Sequence, residues 1–366
     1  MLKDELLKLT VIQNQLEKIL ITLKRTNRQI VLFGAGISGQ VICRYLLDNH
    51  ITPVAFVDSN KNKWGKTIYN IEIKNKCEIG TTYKNSDIII SCDAYREIRE
   101  ELKEKDIDVE NHVFFIDPRW IKNPDGEANY IIKNIEDFQT AYELLEDDKS
   151  KKIFKNLLKY KMTYDLSHIE KICDKNMYFP QDLFCFEGNE VFIDAGSYIG
   201  DTLQEYMDIC NGKYKKILCF EPNAANAEAL IENIRINGYK NIKVFRKGLS
   251  NRKTIEYFDD SSDVAARISS VGRQKIECVK LDDILENEKL PVHFIKMDIE
   301  GSEAYALEGS RKSIEKWKPI LAICVYHKPD DFFTIPLLIK NIYSGYKLYF
   351  RQYELSAEET VCYAIP

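Results

Sequence analysis

The sequence predicts an α/β protein made of two Rossmann-like domains, the second closing in an antiparallel strand pair. Three observations predict it. A strand, a glycine turn and a helix succeed one another twice, in "RQIVLFGAGISGQVICRYL" from residue 28 and in "NEVFIDAGSYIGDTLQEY" from residue 189. After each turn, short apolar runs alternate with amphipathic stretches of helical period. The tail "GYKLYFRQYELSAEETVCYAIP" carries no helical period and reads as two antiparallel strands.

At the N-terminus, Leu2, Leu6, Leu9, Leu16, Leu20 and Leu23 keep a 3–4 spacing broken at Gln13. Residues 1–28 are therefore expected to form an amphipathic helix, used for a homodimer or packed on its own chain. Residues 29–118 form the first domain. "QIVLF" is a buried strand, "GAGISG" the turn and "GQVICRYLLDN" a helix; "TPVAFVDSN" is a second strand, and "KNKWGKTIYN" a loop where a crossover helix would be expected. "SDIIISC" and "HVFFID" are further strands flanking the charged helix "REIREELKEK". Residues 119–174 read as a helical connector, acidic then basic. In 175–366, strands are expected at 190–194, 216–220, 241–245, 293–297 and 319–325, and helices at 200–209, 223–236 and 302–317.

Composition excludes several classes. The 366 residues are 45% hydrophobic and 30% charged, the balance of a folded chain longer than one ordinary core. A net charge of −5 argues against nucleic acid as a partner, since that binding needs a basic surface. No apolar run reaches the length of a membrane span, and the first residues alternate apolar and charged too regularly for a signal peptide. The ten cysteines contain no C-x-x-C pair, and Cys43, Cys92, Cys219 and Cys324 sit in apolar runs. Reduced thiols in a cytoplasmic protein are expected.

The chemistry concentrates in the second turn. Asp194 ends a buried strand, Gly196 and Gly200 let backbone pass close to a ligand, and the next helix offers unpaired N–H groups. Glu221, 27 residues on, tips the next strand, where a carboxylate accepts hydrogen bonds from a ribose diol. A third strand, "VHFIKMDIEGSEAYALEGS", ends in Lys296, Asp298, Glu300 and Glu303. With "EVFIDAGSYIGDT", "CFEPNAANAEALIENI", "KGLSN", "VKLDDIL", "AICVYHKPDDFFTIPLLI" and "ETVCYAIP", residues 175–366 resemble the FkbM-type S-adenosylmethionine-dependent methyltransferases.

The resemblance implies a parallel sheet finished by an antiparallel pair, and an O-methyltransferase. Asp194, Gly196, Ser197, Gly200, Asp201 and Thr202 would hold the methionine end of the donor. Glu221 would bind its ribose, with Pro222, Asn223, Lys247, Gly248 and Leu249 around the adenine, and Asp298 would lie near the transferred methyl. Lys296, Asp298 and His327 are expected to carry catalysis, His327 as the base toward a hydroxyl. Glu300, Glu303, Tyr326, His327, Lys328 and Arg351 are expected to face the acceptor; Gln352 stands where the family favours histidine. Three carboxylates in six residues raise a metal question, but without a second ligand cluster Glu300 and Glu303 are read as favouring a helix N-terminus, and no metal is expected. The polar loop "FDDSSDVAARISSVGRQ" reads equally as a substrate lid or an ordinary loop.

In the first turn, Gly34, Gly36 and Gly39 have the G-x-G-x-x-G spacing, and Asp58 lies 24 residues beyond Gly34. This stretch resembles small nucleotide-binding domains fused to bacterial sugar-modifying enzymes, which implies a nucleotide or nucleotide-sugar site. The expected substrate is a small molecule, a sugar or nucleotide-linked glycan precursor. Polyketide, lipid or peptide methylation remains an alternative. So do an NAD(P)-dependent oxidoreductase using the first turn and a non-catalytic nucleotide sensor.

Overall fold

Four consecutive apolar residues, Ile30–Phe33, are all buried and form the first strand, β1. A run buried on both faces is what a central parallel strand requires. The computed structural model describes residues 2–11, 14–92, 94–124, 126–258, 268–269, 274–355 and 358–366. Contacts divide the chain into two units: Asp4–Ile132 with Lys159–Leu166, and Met1–Lys3 with Lys133–Leu158 and Ser167–Pro366. The residues read as a connector, 119–174, are thus shared out between the two units.

In the N-terminal unit β1 is followed by β2 (Ala55–Asp58), β3 (Thr67–Ile68), β4 (Ile71–Asn75), β5 (Asp87–Ile90) and β6 (Val113–Phe115). The sheet order is β3-β4-β2-β1-β5-β6, parallel except for the β3/β4 hairpin. The stretch expected as a loop holds one 3-10 turn, Lys61–Lys63, and β3; the strand β4 after it had no counterpart in the sequence reading. Helix Ile37–Asp48 packs hard onto the turn before it. A Cβ on Gly39 would sit 2.0 Å from the Gly34 carbonyl oxygen, so the third glycine is a packing requirement.

The leucine stripe does not run as one helix. Helix Leu2–Leu7 ends, and a second, Gln15–Arg25, begins at Asn14, whose side chain accepts from the Glu17 N–H. Gln13, the break in the stripe, lies outside the described residues. Leu6, Leu16, Ile19 and Leu23 are buried within the chain itself.

The C-terminal unit contains β7 (Val191–Ala195), β8 (Lys216–Phe220), β9 (Ile242–Phe245), β10 (Gly248–Leu249), β11 (Thr254–Phe258), β12 (Ile268–Ser269), β13 (Gln274–Val279), β14 (Phe294–Met297), β15 (Ile320–Cys324), β16 (Lys347–Gln352) and β17 (Thr360–Ile365). Its main sheet runs β16-β17-β15-β14-β7-β8-β9, with β17 antiparallel to both neighbours and the rest parallel. The antiparallel closing pair is as expected. A second sheet, β10-β13-β11-β12, was not. The helix expected at 302–317 divides into Glu303–Glu308 and Arg311–Trp317. Gly309 lies at the break, where a Cβ would fall 2.0 Å from the Ser250 carbonyl oxygen. Most of the polar loop read as a lid, residues 259–267 and 270–273, lies outside the described residues.

Strand register pairs the buried charges. On the parallel pair β14/β7, Phe294 faces Phe192 and, two residues on, Lys296 faces Asp194. Side chains two apart share a face, so an apolar pair and a charged pair line one side of the sheet. The Phe192 and Phe294 rings lie 5.1 Å apart within a cluster that includes Phe179 and Tyr206. Beyond them Lys296 Nζ stands 3.3 Å from Asp194 Oδ1, with both side chains essentially out of water.

Removing one member of such a pair strands a buried charge, whereas removing both does not. Lys296→Met and Asp194→Leu are each expected to cost roughly 3–5 kcal/mol. The double variant is expected to recover a large part of that loss, read as a denaturation midpoint; strict additivity would contradict the pairing.

Candidate active site

Strands β7, β8 and β14 deliver their last residues to one end of the sheet, where ligands of open α/β folds bind. A cavity of about 590 Å³ opens there. Of the residues expected around a donor, Gly196, Asp201, Thr202, Glu221, Pro222, Lys247, Gly248, Leu249 and Asp298 line it. Four others do not line it. Asp194 is wholly buried, the Ser197 hydroxyl donates to the Asp194 carbonyl, and Gly200 is the left-handed cap of helix Asp201–Ile209. Asn223 caps helix Ala224–Ile236, accepting from the Ala225 and Asn226 N–H groups; Asn226 lines the cavity instead.

The glycine turn is tied to β14 at two points. Gly196, at φ 78°, lies so close to the chain after β14 that a Cβ would fall 1.7 Å from the Asp298 carbonyl oxygen. Lys296 Nζ donates to the Gly196 carbonyl at 2.7 Å. Burial alone would lower the Lys296 pKa, but the carboxylates of Asp194 and Asp298 outweigh it and keep the ammonium charged. Lys296 is therefore a fixed cation that positions the turn, not a proton carrier. Glu221 is held ready: Oε2 accepts from the Tyr198 N–H and Oε1 from the Asn223 N–H, which leaves acceptor capacity on both oxygens for a diol.

Asp298 is the hub of the opposite wall. Tyr178 donates to its Oδ2 at 2.7 Å, Tyr326 donates to its Oδ1 at 3.2 Å, and His327 Nε2 lies 3.3 Å from Oδ1. Burial opposes its ionisation, yet His327 and Lys296 hold its carboxyl well below the usual range. His327 lies among three carboxylates: Nδ1 is 2.9 Å from Glu303 Oε1, and Nε2 is also 3.7 Å from Glu300 Oε2. Burial pulls the imidazole pKa down, but Asp298 and Glu303 raise it to about 11. The ring is thus already protonated at neutral pH, which removes it as the base expected from the sequence.

Three acceptor-side expectations change. Arg351, 1% exposed, is not in the cavity: it donates to Asp147 and Asp182, at 2.9 and 3.0 Å, and to the Ser150 hydroxyl. Lys328 does not line it either, and braces the Glu300–Gly301 turn by donating to the Gly301 carbonyl. Glu303 is fully buried behind His327, at the first turn of helix Glu303–Glu308, accepting from the Ile299 N–H. Glu300 and Tyr326 do line the cavity.

Sequence reasoning missed Tyr178, Tyr198, Glu205, Glu358 and Glu359, all of which line it. Glu205 had a signal, one helical turn after Asp201. Tyr178, from the segment before β7, had none, and Glu359, in the turn between β16 and β17, opens the "ETVCYAIP" stretch but was given no role. Tyr178, Tyr198, Glu300 and Glu359 hold φ of 67°, 45°, 56° and 57°. Left-handed backbone outside glycine costs energy, and it gathers where a site over-determines the chain. Glu359 is pushed up to about 7, by burial first and then by Asp298.

In the N-terminal unit Gly34, Gly36 and Gly39 form the turn as expected, with Gly34 at φ 108° and Asp58 at the neighbouring strand end. Asp58 is already engaged: Oδ2 accepts from the Ala35 N–H at 2.8 Å and Lys63 Nζ at 2.9 Å, and Oδ1 from the Asn60 N–H. A cavity of about 370 Å³ in this unit includes Ile30 and Asn49, at the opposite end of β1 from the turn.

Residues 194–351 match the Methyltransferase FkbM domain, and residues 26–114 match the C2185-like N-terminal domain. No curated protein matches the chain. Among solved structures, the methyltransferase FkbM of Methylobacillus flagellatus KT aligns over 100% of this chain and 99% of its own, at 22% identity and a TM-score of 0.74, which shows a shared fold. More distant are an rRNA methylase from Streptococcus thermophilus (11% identity, 48% of this chain and 86% of that one, TM-score 0.31) and Aeropyrum pernix fibrillarin with bound S-adenosyl-L-methionine (10%, 49% and 67%, 0.33). The chain carries an FkbM methyltransferase domain and is an S-adenosylmethionine-dependent methyltransferase.

The charges generate two expected outcomes. Arg351→Met is expected to lower stability by about 2 kcal/mol, less than a fully buried pair because its carboxylates are partly exposed, with donor affinity in calorimetry unchanged. The carboxyls of Glu359 and Asp331, each raised to about 7 by burial first, bind protons in the folded state that the unfolded state releases near 4.5 and 3.8. Stability measured under a chelator should therefore fall as pH rises from about 5 to 7.5, and Glu359→Gln and Asp331→Asn should each flatten that slope. An unchanged slope would show that both carboxyls ionise normally.

Proposed function

We propose that this methyltransferase moves the methyl group of S-adenosylmethionine onto a hydroxyl oxygen of a sugar. The observation that carries the reading is the charge of the cavity wall. Asp201, Glu205, Glu221, Asp298, Glu300, Glu358 and Glu359 all line it, while of the cations there Lys296 is committed to the glycine turn, Lys247 pairs with Glu277 at 2.9 Å and His327 is flanked by Asp298 and Glu303. Such a wall favours a cationic donor and a neutral acceptor rich in hydroxyl donors, and it repels phosphate and nucleic acid.

The fit to the donor rests on this chain's own groups. The N-terminus of helix Asp201–Ile209 and the Gly196 turn suit a carboxylate, Glu221 a ribose diol, and Pro222, Leu249 and Ile276 a flat base. When bound, the donor supplies an electrophilic methyl on a sulfonium. What the protein contributes is in-line placement of the acceptor oxygen and removal of its proton. Glu359 takes that proton. It lines the cavity, its Oε1 is 3.4 Å from the Tyr326 hydroxyl, and it changes charge near neutrality.

The test is transfer of radiolabelled methyl to a panel of free sugars, polyols, nucleotide-sugars, fatty acids and peptides. Label on a sugar hydroxyl is the expected result, and label on lipid or peptide alone would refute the acceptor class. Glu359→Gln is expected to lower kcat by about 10²–10⁴ while donor affinity stays within a few-fold. Unaltered kcat would remove Glu359 as the base.

A further inference from the structure

The antiparallel closing pair does more than end the sheet. Cys324 of β15 lies opposite Val361 of β17, and the Val325 N–H donates to the Thr360 carbonyl one residue farther on. Continued by one more step, that ladder sets Tyr326 against Glu359, two residues 33 apart in the chain. The backbone turns left-handed at Glu359, and both residues line the cavity.

The Tyr326 hydroxyl stands between two carboxylates, 3.2 Å from Asp298 Oδ1 and 3.4 Å from Glu359 Oε1. The two acids are not equivalent. Asp298 also accepts from Tyr178 and lies against His327, so its charge is well supported. For the Glu359 carboxyl, Tyr326 is the one hydrogen-bond donor found among the described residues. Facing Glu359 are Asp298 from the end of β14, Tyr178 from the segment before β7, Cys324 and His327 from β15 and the segment after it, and Glu354 and Glu358 on its own turn.

One hydroxyl hydrogen cannot serve two anions. With both acids ionised, Tyr326 donates to one and presents oxygen lone pairs to the other. A proton on Glu359 removes the conflict: the carboxyl donates to the tyrosine oxygen, and the tyrosine donates to Asp298. The phenol itself stays protonated, since burial first, then Cys324 and Asp298, raise its pKa. We propose that Tyr326 is the positioning residue of the catalytic base: its hydroxyl bridges Glu359 to Asp298 and stabilises Glu359 in the protonated form that follows proton removal from the acceptor.

This rests on the reading of Glu359 as the base. In the step, the acceptor's proton moves to Glu359, and the O–H electron pair stays on the acceptor oxygen for its bond to the methyl carbon. Tyr326 keeps its own proton and turns it toward Asp298, which does not change charge. A hydrogen bond made only once the proton has moved strengthens the base without adding a charge to the wall.

The test is a ¹³C NMR titration of the intact chain labelled at its glutamate carboxyls, with the Glu359 signal identified by its loss in Glu359→Gln. Tyr326→Phe keeps the ring and removes the bridge. In that variant the Glu359 midpoint is expected to fall by roughly one pH unit. Because the base works ionised, activity is lost as pH falls through this midpoint, so the acid limb of the kcat–pH profile should move to lower pH with it. Donor affinity in calorimetry should not change. A midpoint that stays or rises in Tyr326→Phe would overturn the proposal, whatever the kinetics. An acid limb that stays while the midpoint falls would instead remove Glu359 as the base and leave the bridge standing.

Discussion

A single ammonium, that of Lys296, joins the parts of the catalytic unit that must not move. It lies opposite Asp194 in the β14/β7 register, ion-paired at 3.3 Å, and donates to the Gly196 carbonyl at 2.7 Å. A buried charge is costly unless it is both paired and hydrogen-bonded, and this one is both. The glycine turn therefore has one position relative to the end of β14, which is also where Asp298 begins. Donor cradle and reaction wall are fixed by the same interaction.

That tie governs the electrostatics of the cavity. Asp298 stays ionised because Tyr178, Tyr326, His327 and Lys296 all favour its charge, and His327 stays cationic because Asp298 and Glu303 flank it. A group held at one end of its titration is a fixture. Proton traffic falls instead to a carboxylate that burial has brought to neutrality, which is the property of Glu359. Glu300 and Glu359, both on the cavity wall, hold left-handed backbone, which gathers at sites that over-determine the chain.

The two glycine turns look alike as sequence and differ as chemistry. Behind the second, Glu221 receives one backbone N–H on each oxygen and faces a cavity. Behind the first, Asp58 receives two N–H groups and a lysine ammonium from its own chain, so a ribose there has to compete with Lys63. The residue types are nearly interchangeable. Local satisfaction of the carboxylate separates them.

What the sequence determined by itself was local: strands from apolar runs, turns from glycine spacing, and nine of the thirteen residues expected to hold the donor found on the cavity wall. Each of these is written within a few residues, so periodicity and motif reach it. What only the tertiary structure decided was every role set by a partner far along the chain. Arg351 looked available for a substrate until Asp147, Asp182 and Ser150 closed on it from more than 160 residues away. His327 looked like a base until Asp298 and Glu303 made it a cation. Charge state and accessibility depend on the neighbours in space, and a linear sequence names the groups without placing those neighbours.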